Sequence, residues 1–431
     1  MSNRSQEAVR SFQQEVRAID PKVLAAAMGG NDQPPEEPLL STFEEGFGYF
    51  TDAAVGRSLK QYEFVRKLGW AASSSVWLML DKSVETRTFV AMKILTSQAT
   101  AQIVAGNSPE YDVFRKIEYT NPSSPGFRHC LNVRHCFTSK SAAGGHICFV
   151  TDALSSSLAT LRPPGQNRFT VPTAKRIVKQ VFLALDYLHR ECQYIHTDLK
   201  SDNILVEIPQ PAASRIDQYI QSNPPSVYGP SLNLKSSTLP LVFSHSQPLP
   251  YYDLGGSLED ISVRLMDCSE ATPAYEPQRA ESRQPSIIRA PEVTLRYPWD
   301  SSIDIWTVGC LLFELLTDHQ LFGQDSGNYS DDLHLQYIGE CLGSFPLEFL
   351  RVCEERNKYF DEKGALLRTN SDFQHTSLEA ILRSLQVEAV DEIDIPGAAA
   401  FMRRCLTLDP KLRPSAQELL KDSWLAEPSG V

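Results

Sequence analysis

Apolar residues at Val9, Phe12, Val16, Ile19 and Val23 keep a helical spacing, and Gly29-Gly30 followed by Pro34-Pro35 closes it, so residues 1 to 28 form an amphipathic appendage. Over residues 62–80 and 88–95 the alternation switches to a period of two, carried by β-branched and aromatic side chains, which predicts strands joined by turns. The 3.6-residue period returns over residues 173–190, where Ile177, Val178, Val181, Leu185 and Leu188 share a face and Pro172 stands near the first helical position. Residues 301–317 are almost wholly apolar, with only Asp304 and Glu314 charged, and predict a helix buried on most sides. Further helical patches lie at residues 333–341 and 398–406. Between the two halves, residues 207–258 carry Pro209, Pro211, Pro224, Pro225, Pro230, Pro240, Pro248 and Pro250 among many Ser and Gln, which predicts a long, mostly irregular insertion. No internal repeat is visible.

Length and charge narrow the class. A chain of 431 residues accommodates two or three packed units. The formal net charge of −12 argues against a sequence-independent grip on a nucleic-acid backbone and favours a basic partner. No apolar run reaches the length of about 18 residues that a membrane span needs. Nine cysteines are too few and odd in number for a disulfide framework, so a soluble protein of a reducing compartment, cytoplasmic or nuclear, is expected. His129-Cys130 and His135-Cys136 repeat at six residues, wider than paired zinc ligands usually stand, and fit core positions better.

The richest chemistry follows the helix of residues 173–190. His196-Thr197-Asp198-Leu199-Lys200-Ser201-Asp202-Asn203 fits H-x-D-x-x-x-x-N, a loop in which the Asp accepts a hydroxyl proton and the Asn holds a divalent ion. Phosphoryl transfer needs nucleophile, phosphoryl group and metal within bonding distance together, hence one short loop. Lys200 is placed to neutralise charge on the transferring group. Upstream, Val90-Ala91-Met92-Lys93 resembles the strand whose Lys pairs with the α- and β-phosphates, and residues 68–76 precede it where a phosphate-covering loop belongs. Glu110 is the candidate to orient Lys93, with Glu118 as the alternative. Downstream, Asp267-Cys268-Ser269 occupies the place of D-F-G, making Asp267 a metal ligand, and Ala290-Pro291-Glu292 ends the segment, Glu292 pairing with Arg413.

These residues together resemble a eukaryotic protein kinase, and more narrowly the SR-protein-specific kinase family of serine/threonine kinases, from about Gly46 to Leu425. The narrower resemblance lies in Lys67-Leu68-Gly69-Trp70 with Val76-Trp77-Leu78, in the Thr of His196-Thr197-Asp198, in Pro125-Gly126, in Gly145-His146-Ile147-Cys148-Phe149-Val150, in Leu342-Gly343-Ser344-Phe345-Pro346 and in Tyr359-Phe360-Asp361. The insertion at 207–258 falls where that family carries its spacer. The resemblance implies an α+β bilobal protein-kinase fold: an N-terminal extension over 1–45, a small antiparallel-sheet N-lobe plus one helix over 46–154, a larger helical C-lobe over 155–425 and a tail over 426–431. It implies ATP and Mg²⁺ as cofactors, bound between the lobes. Catalytic residues are then Asp198 and Lys200, and metal ligands Asn203 and Asp267. Nucleotide contacts fall on Leu68, Gly69, Val76, Ala91, Lys93, Glu110, the gatekeeper Thr151, and Asp152 and Leu154 of the hinge. The implied partner is a protein substrate rich in Arg-Ser, bound by an acidic groove for which Asp325, Asp331 and Asp332 are candidates, with no direct nucleic-acid or membrane contact and a monomeric state.

Departures from the pattern bear on activity. Ala71 stands at the second glycine of the phosphate loop and Ser74 at the third; a β-carbon at position 71 is expected to push the loop away or restrict its φ/ψ choices. Cys268 and Ser269 replace the usual Phe and Gly. Thr197 removes the arginine that pairs with a phosphorylated activation segment, which predicts an ordered segment without a phosphate switch. Three functions are therefore weighed: an active serine/threonine kinase, a pseudokinase scaffold motivated by Ala71 and Ser269, and a kinase of a neighbouring class with unrelated, acidic substrates.

Overall fold

The computed structural model describes residues 3–30, 36–163, 165, 168–237, 239–275, 277–278, 284–323, 329–369, 374–385 and 391–426. In chain order, the first elements are α1 (Asn3–Arg17), α2 (Pro21–Ala27), β1 (Ser58–Leu59), β2 (Tyr62–Ala71), β3 (Ser74–Asp81), β4 (Thr88–Leu95), α3 (Ser97–Val104) and α4 (Glu110–Tyr119). Next come β5 (Val133–Ser141), β6 (Gly144–Asp152), β7 (Leu154–Ser157), α5 (Val171–Asp186), β8 (Tyr194–Ile195), β9 (Ile204–Glu207) and α6 (Ala212–Ser222). The remainder is β10 (Val263–Leu265), β11 (Thr272–Pro273), α7 (Pro291–Thr294), α8 (Ser302–Thr317), α9 (Asp331–Leu342), α10 (Leu347–Leu350), α11 (Arg356–Tyr359), α12 (Leu378–Ser384), α13 (Ile395–Cys405) and α14 (Ala416–Leu419). Two compact units result. One holds residues 1–111, 131–156 and 207–256, the other residues 112–130, 157–206 and 257–431. No described helix is long and apolar enough to cross a membrane.

The first unit is built on a six-stranded antiparallel sheet ordered β1-β2-β3-β4-β6-β5. The period-two patterns of β2, β3 and β4 turn Phe64, Trp77, Met79, Val90, Met92 and Ile94 onto one face, where they pack with Phe137, Cys148 and Val150. Register places Val76 opposite Lys93, and Lys93 in turn opposite Phe149.

More than one helix accompanies this sheet. The appendage is two helices, because Asp20 caps α2 by accepting from the Lys22 amide at 2.8 Å while Pro21 takes the first helical position. The insertion is not irregular throughout: its α6 buries Ile216 against Leu78, Phe89, Leu249 and Leu254, with Tyr219 and Ile220 alongside. Tyr228, Leu232, Leu241 and Phe243 of the insertion pack with Ala27 and Met28 of the appendage and with Leu39 and Tyr49. Glu15 of α1 accepts from the amides of Lys235 and Ser236 at 2.6 and 2.7 Å. Beneath this layer lies a buried charge cluster. The Lys67 ammonium, on β2, pairs with Glu37 and with Glu36 Oε2 at 3.0 Å. Burial raises the Glu37 carboxyl, while Glu36 is held below its usual range because donors from Ser246 and Lys67 outweigh its desolvation. Such a cluster is tolerable only when its lone pairs are satisfied, and Ser246 N, Ser246 Oγ and the Tyr228 hydroxyl donate to Glu36 at 2.8, 2.5 and 3.2 Å.

The second unit centres on α8, which is buried along nearly all its length, as its composition predicts, and packs against α5 and α13. The predicted pair of Glu292 and Arg413 forms at 2.6 and 3.0 Å with both side chains at zero exposure. Arg413 also donates to Ser302 O at 2.8 Å and, through Nε, to Thr407 O at 3.0 Å, and it lies over the Trp306 ring.

One buried imidazole makes the sheet unit sensitive to acid. His146, at zero exposure on β6, places Nδ1 2.8 Å from Leu95 O and Nε2 2.8 Å from the Ser141 hydroxyl. That arrangement suits the neutral ring, which donates at Nδ1 and accepts at Nε2, and burial lowers its pKa from 6.5 to about 4. With the folded value below the unfolded one, the unfolded chain binds the extra proton first, so stability is full above pH 6.5 and drains as pH falls towards 4. Thermal unfolding between pH 7.5 and 4.5 is expected to show this loss, and His146→Gln to flatten it; an unchanged slope in the variant contradicts the assignment.

Candidate active site

The loop between β8 and β9 is shaped from outside itself. After α5 the chain turns through Tyr187–Cys192 and reverses at Gln193, at φ 61°. His196 and Thr197 then point their amides at Asp304 of α8, donating to Oδ2 at 2.8 Å and Oδ1 at 2.9 Å, while His189 Nε2 lies 2.7 Å from Oδ2. Burial works to raise the Asp304 carboxyl, yet the donors from His189 and His196 outweigh it and hold the group below its usual range. Thr197 sits at φ 66°, a left-handed conformation that a β-branched residue adopts only when its surroundings compel it.

Asp198 follows this bend directly. Its Oδ2 accepts from Lys200 Nζ at 2.8 Å and from Asn203 Nδ2 at 3.0 Å, and its carbonyl accepts from the same Asn203 amide at 2.8 Å. With its nitrogen engaged on Asp198, Asn203 keeps its oxygen for another ligand. His196 Nε2 stands 2.9 Å from Met266 O, and Met266 N donates to Asn203 O at 2.9 Å, which fixes the residue before Asp267 against the loop. Asp267 also has positive φ, 64°. Where an arginine pairs with phosphate in many kinases, the Thr197 hydroxyl donates to Glu270 O at 2.8 Å, and β11 pairs with β8. The structure therefore brings Asp198, Lys200 and Asn203 together and ties the backbone beside Asp267 to them.

In the sheet unit, Lys93 Nζ lies 2.5 Å from Glu110 Oε1, with Glu110 buried; Glu110, not Glu118, takes the lysine. Gly69 pairs with Val76 across β2 and β3, Ala91 with both Leu78 and Thr151, and Leu68 packs at the edge of the cluster around Leu78. Thr151 and Leu154 are buried, and Asp152 forms an ion pair with Arg134. Ala71 pairs with Ser74 in the strand register and does not have positive φ, so its β-carbon carries no backbone strain, contrary to the restriction expected from the sequence.

The acidic candidates divide. Asp325 lies outside the described residues. Asp331 accepts from the Tyr359 hydroxyl at 3.0 Å and stands 3.7 Å from Arg289, while Asp332 accepts from Arg368 at 2.8 Å. A basic ligand would have to displace these internal partners. An acidic feature missed from the sequence is a cavity of about 170 Å³ lined by Lys200, Asp202, Ile288, Glu314 and Gln320 among others. Burial raises the Glu314 carboxyl, against the lowering by its bonds from Ser201 and Gln320. The signal for Glu314 and Asp304 was present: they are the two charges in an otherwise apolar helix.

A model of the protein kinase domain matches residues 62–216 and 258–425, more than half of the chain, with the gap inside the insertion; the chain belongs to the protein kinase family. It is a protein serine/threonine kinase, and its relatives are of the SR-protein-specific type. The "Serine/threonine-protein kinase SRPK" of Physarum polycephalum is 28% identical over 392 residues, covering 88% of this chain and 89% of the relative. "Protein kinase dsk1" of Schizosaccharomyces pombe is 26% identical, over 88% and 84%, and "SRSF protein kinase 3" of Homo sapiens 24%, over 94% and 93%. The scaffold alternative finds no support in them.

Because Lys93 Nζ lies 2.5 Å from the buried Glu110 carboxylate, the two are expected to act as one unit. Lys93→Met and Glu110→Gln should each lower kcat/KM for ATP, and the double variant should be no worse than Lys93→Met alone. Additive losses in that cycle contradict the coupling.

Proposed function

We propose that this kinase transfers the γ-phosphate of MgATP to serine in Arg-Ser-rich protein segments. The observation that carries the reading is the bracing of Asp198 by Lys200 and Asn203 on a loop held by Asp304. Asp198 orients the substrate hydroxyl and accepts its proton, and Lys200, already on the same carboxylate oxygen, shifts its charge towards the transferring phosphoryl. Lys93, oriented by Glu110, neutralises the α- and β-phosphates, and Leu68, Val76 and Ala91 of the sheet supply apolar contact for the adenine beside Thr151 and the chain from Asp152 to Leu154.

Magnesium fits the oxygen donors available. Among the described residues no three His, Cys, Asp or Glu side chains gather at one point, and magnesium is usually held by one or two carboxylates together with the substrate's own phosphate oxygens. Asn203, through the oxygen its hydrogen bonds leave available, and Asp267 would hold it. When bound, the ion neutralises charge on the β- and γ-phosphate oxygens.

Three features support a basic substrate. The net charge is −12, two of the relatives are kinases named SRPK and SRSF protein kinase 3, and Asp202 and Glu314 line the cavity next to Lys200. A guanidinium there would meet two carboxylates, one of them largely desolvated. The reading further takes the protein to act as a monomer in the cytoplasm or nucleus, without binding nucleic acid.

Purified protein is expected to phosphorylate an Arg-Ser repeat peptide in the presence of Mg²⁺, to do so poorly on a peptide with Asp or Glu around the serine, and to lose the activity with EDTA or in Asp198→Ala. Equal signals from wild type and Asp198→Ala, or a preference for the acidic peptide, would overturn the mechanism or the substrate class respectively.

A further inference from the structure

The turn joining β2 to β3 carries side chains where a phosphate-covering loop has glycines, yet its backbone is fixed by donors from outside the hairpin. Ala71 O and Ala72 O lie 2.8 and 3.2 Å from the Tyr49 hydroxyl, and Ser73 O accepts from the Thr96 amide at 2.8 Å. Three successive carbonyls are thus held, two of them by Tyr49, a residue just beyond the N-terminal extension.

Tyr49 is itself rigid. Its ring is 1% exposed, packed in the cluster where the extension meets Leu232, Leu241 and Phe243 of the insertion, and stacked on Phe47. The segment before it is registered on α3: Ser97 N donates to Gly48 O at 2.8 Å and Gln98 N to Phe47 O at 3.1 Å. Gly48 has φ 84°, and a β-carbon there would overlap Ser97 Oγ, so the close approach requires glycine. Burial and the neighbouring Glu37 charge push the phenol's pKa up, so the hydroxyl remains a donor at any working pH.

We propose that Tyr49 is a positioning residue for the phosphate-covering turn, fixing the carbonyls of Ala71 and Ala72 so that the turn is already ordered when the triphosphate arrives. The inference rests on the reading above that MgATP phosphates bind at this turn. It accounts for the tolerated loss of glycines. A loop that must find its conformation on binding needs their freedom, whereas one held in advance does not incur that ordering cost. It also gives the extension and the insertion, which together bury the tyrosine ring, a part in nucleotide binding.

Tyr49→Phe keeps the buried ring and removes only the hydroxyl. In the full chain, KM for ATP is expected to rise about three- to tenfold, the range set by one lost neutral hydrogen bond, while kcat, KM for the Arg-Ser peptide and the thermal midpoint stay near wild type. Hydrogen exchange of amides 71–75 in nucleotide-free protein should quicken in the same variant. Unchanged KM for ATP together with unchanged exchange overturns the proposal, as does a parallel rise of both KM values with a fallen midpoint, which marks general destabilisation. Wild-type protein that turns over no ATP would overturn the functional reading instead, and the exchange comparison, which needs no nucleotide, would still decide whether Tyr49 holds the turn.

Discussion

The carboxylate of Asp304 is fully buried, and it stays charged in that setting because the amides of His196 and Thr197 and the ring of His189 are all aimed at it. Desolvating a carboxylate costs several kcal/mol unless its oxygens are satisfied, so the three donors and the charge impose on one another. The consequence reaches the chemistry within one residue. Two adjacent amides can point at one carboxylate only if the chain bends sharply, Thr197 is forced to φ 66°, and Asp198 leaves the bend towards Lys200 and Asn203. Removing the anchor would relieve the strain and release the loop, so a residue outside the Asp198, Lys200 and Asn203 cluster governs its geometry.

The sheet unit relies on a comparable device. Lys67 is 2% exposed on β2 and is neutralised by Glu36 and Glu37 of the N-terminal extension, with Glu36 in turn bound by Tyr228 and Ser246 of the insertion. Neither segment contributes a catalytic group, yet both are needed for the lysine to be buried without an uncompensated charge. Arg66, one residue earlier, is buried over the Tyr219 ring of α6, a further cation covered by the insertion. The additions to the kinase core in this chain are therefore part of the folded sheet unit and not appendages to it.

Much of this was legible in the residue pattern. Period-two alternation located β2, β3 and β4, the 3.6-residue period located α5, and the order of the motifs carrying Lys93, Asp198, Asn203 and Asp267 pointed to the protein kinase family that the domain match shows. The pair Glu292 and Arg413 followed from the same logic. Other features were hidden for physical reasons. The apolar stripe of α6, Ile216 with Tyr219 and Ile220, is framed by Pro209, Pro211, Pro224 and Pro225, whose density suggested irregular chain. The break between α1 and α2 was signalled by Asp20-Pro21, a cap followed by a first-turn proline, but a continuous apolar period masked it. The contact of Tyr49 with Ala71 spans residues with no shared period, and only the folded chain brings them together. Ala71 itself was expected to disturb the turn, because sequence alone shows a missing glycine without showing that the backbone there is ordinary strand.

The bend set by Asp304 is tested most directly by Asp304→Asn, which preserves shape but offers a donor where a second acceptor is needed. Steady-state kinetics on folded variant should show kcat for the Arg-Ser peptide reduced by about a hundredfold, the cost of misplacing a catalytic group by about 1 Å, with KM for ATP little changed. A folded Asp304→Asn protein that retains wild-type kcat would contradict the account.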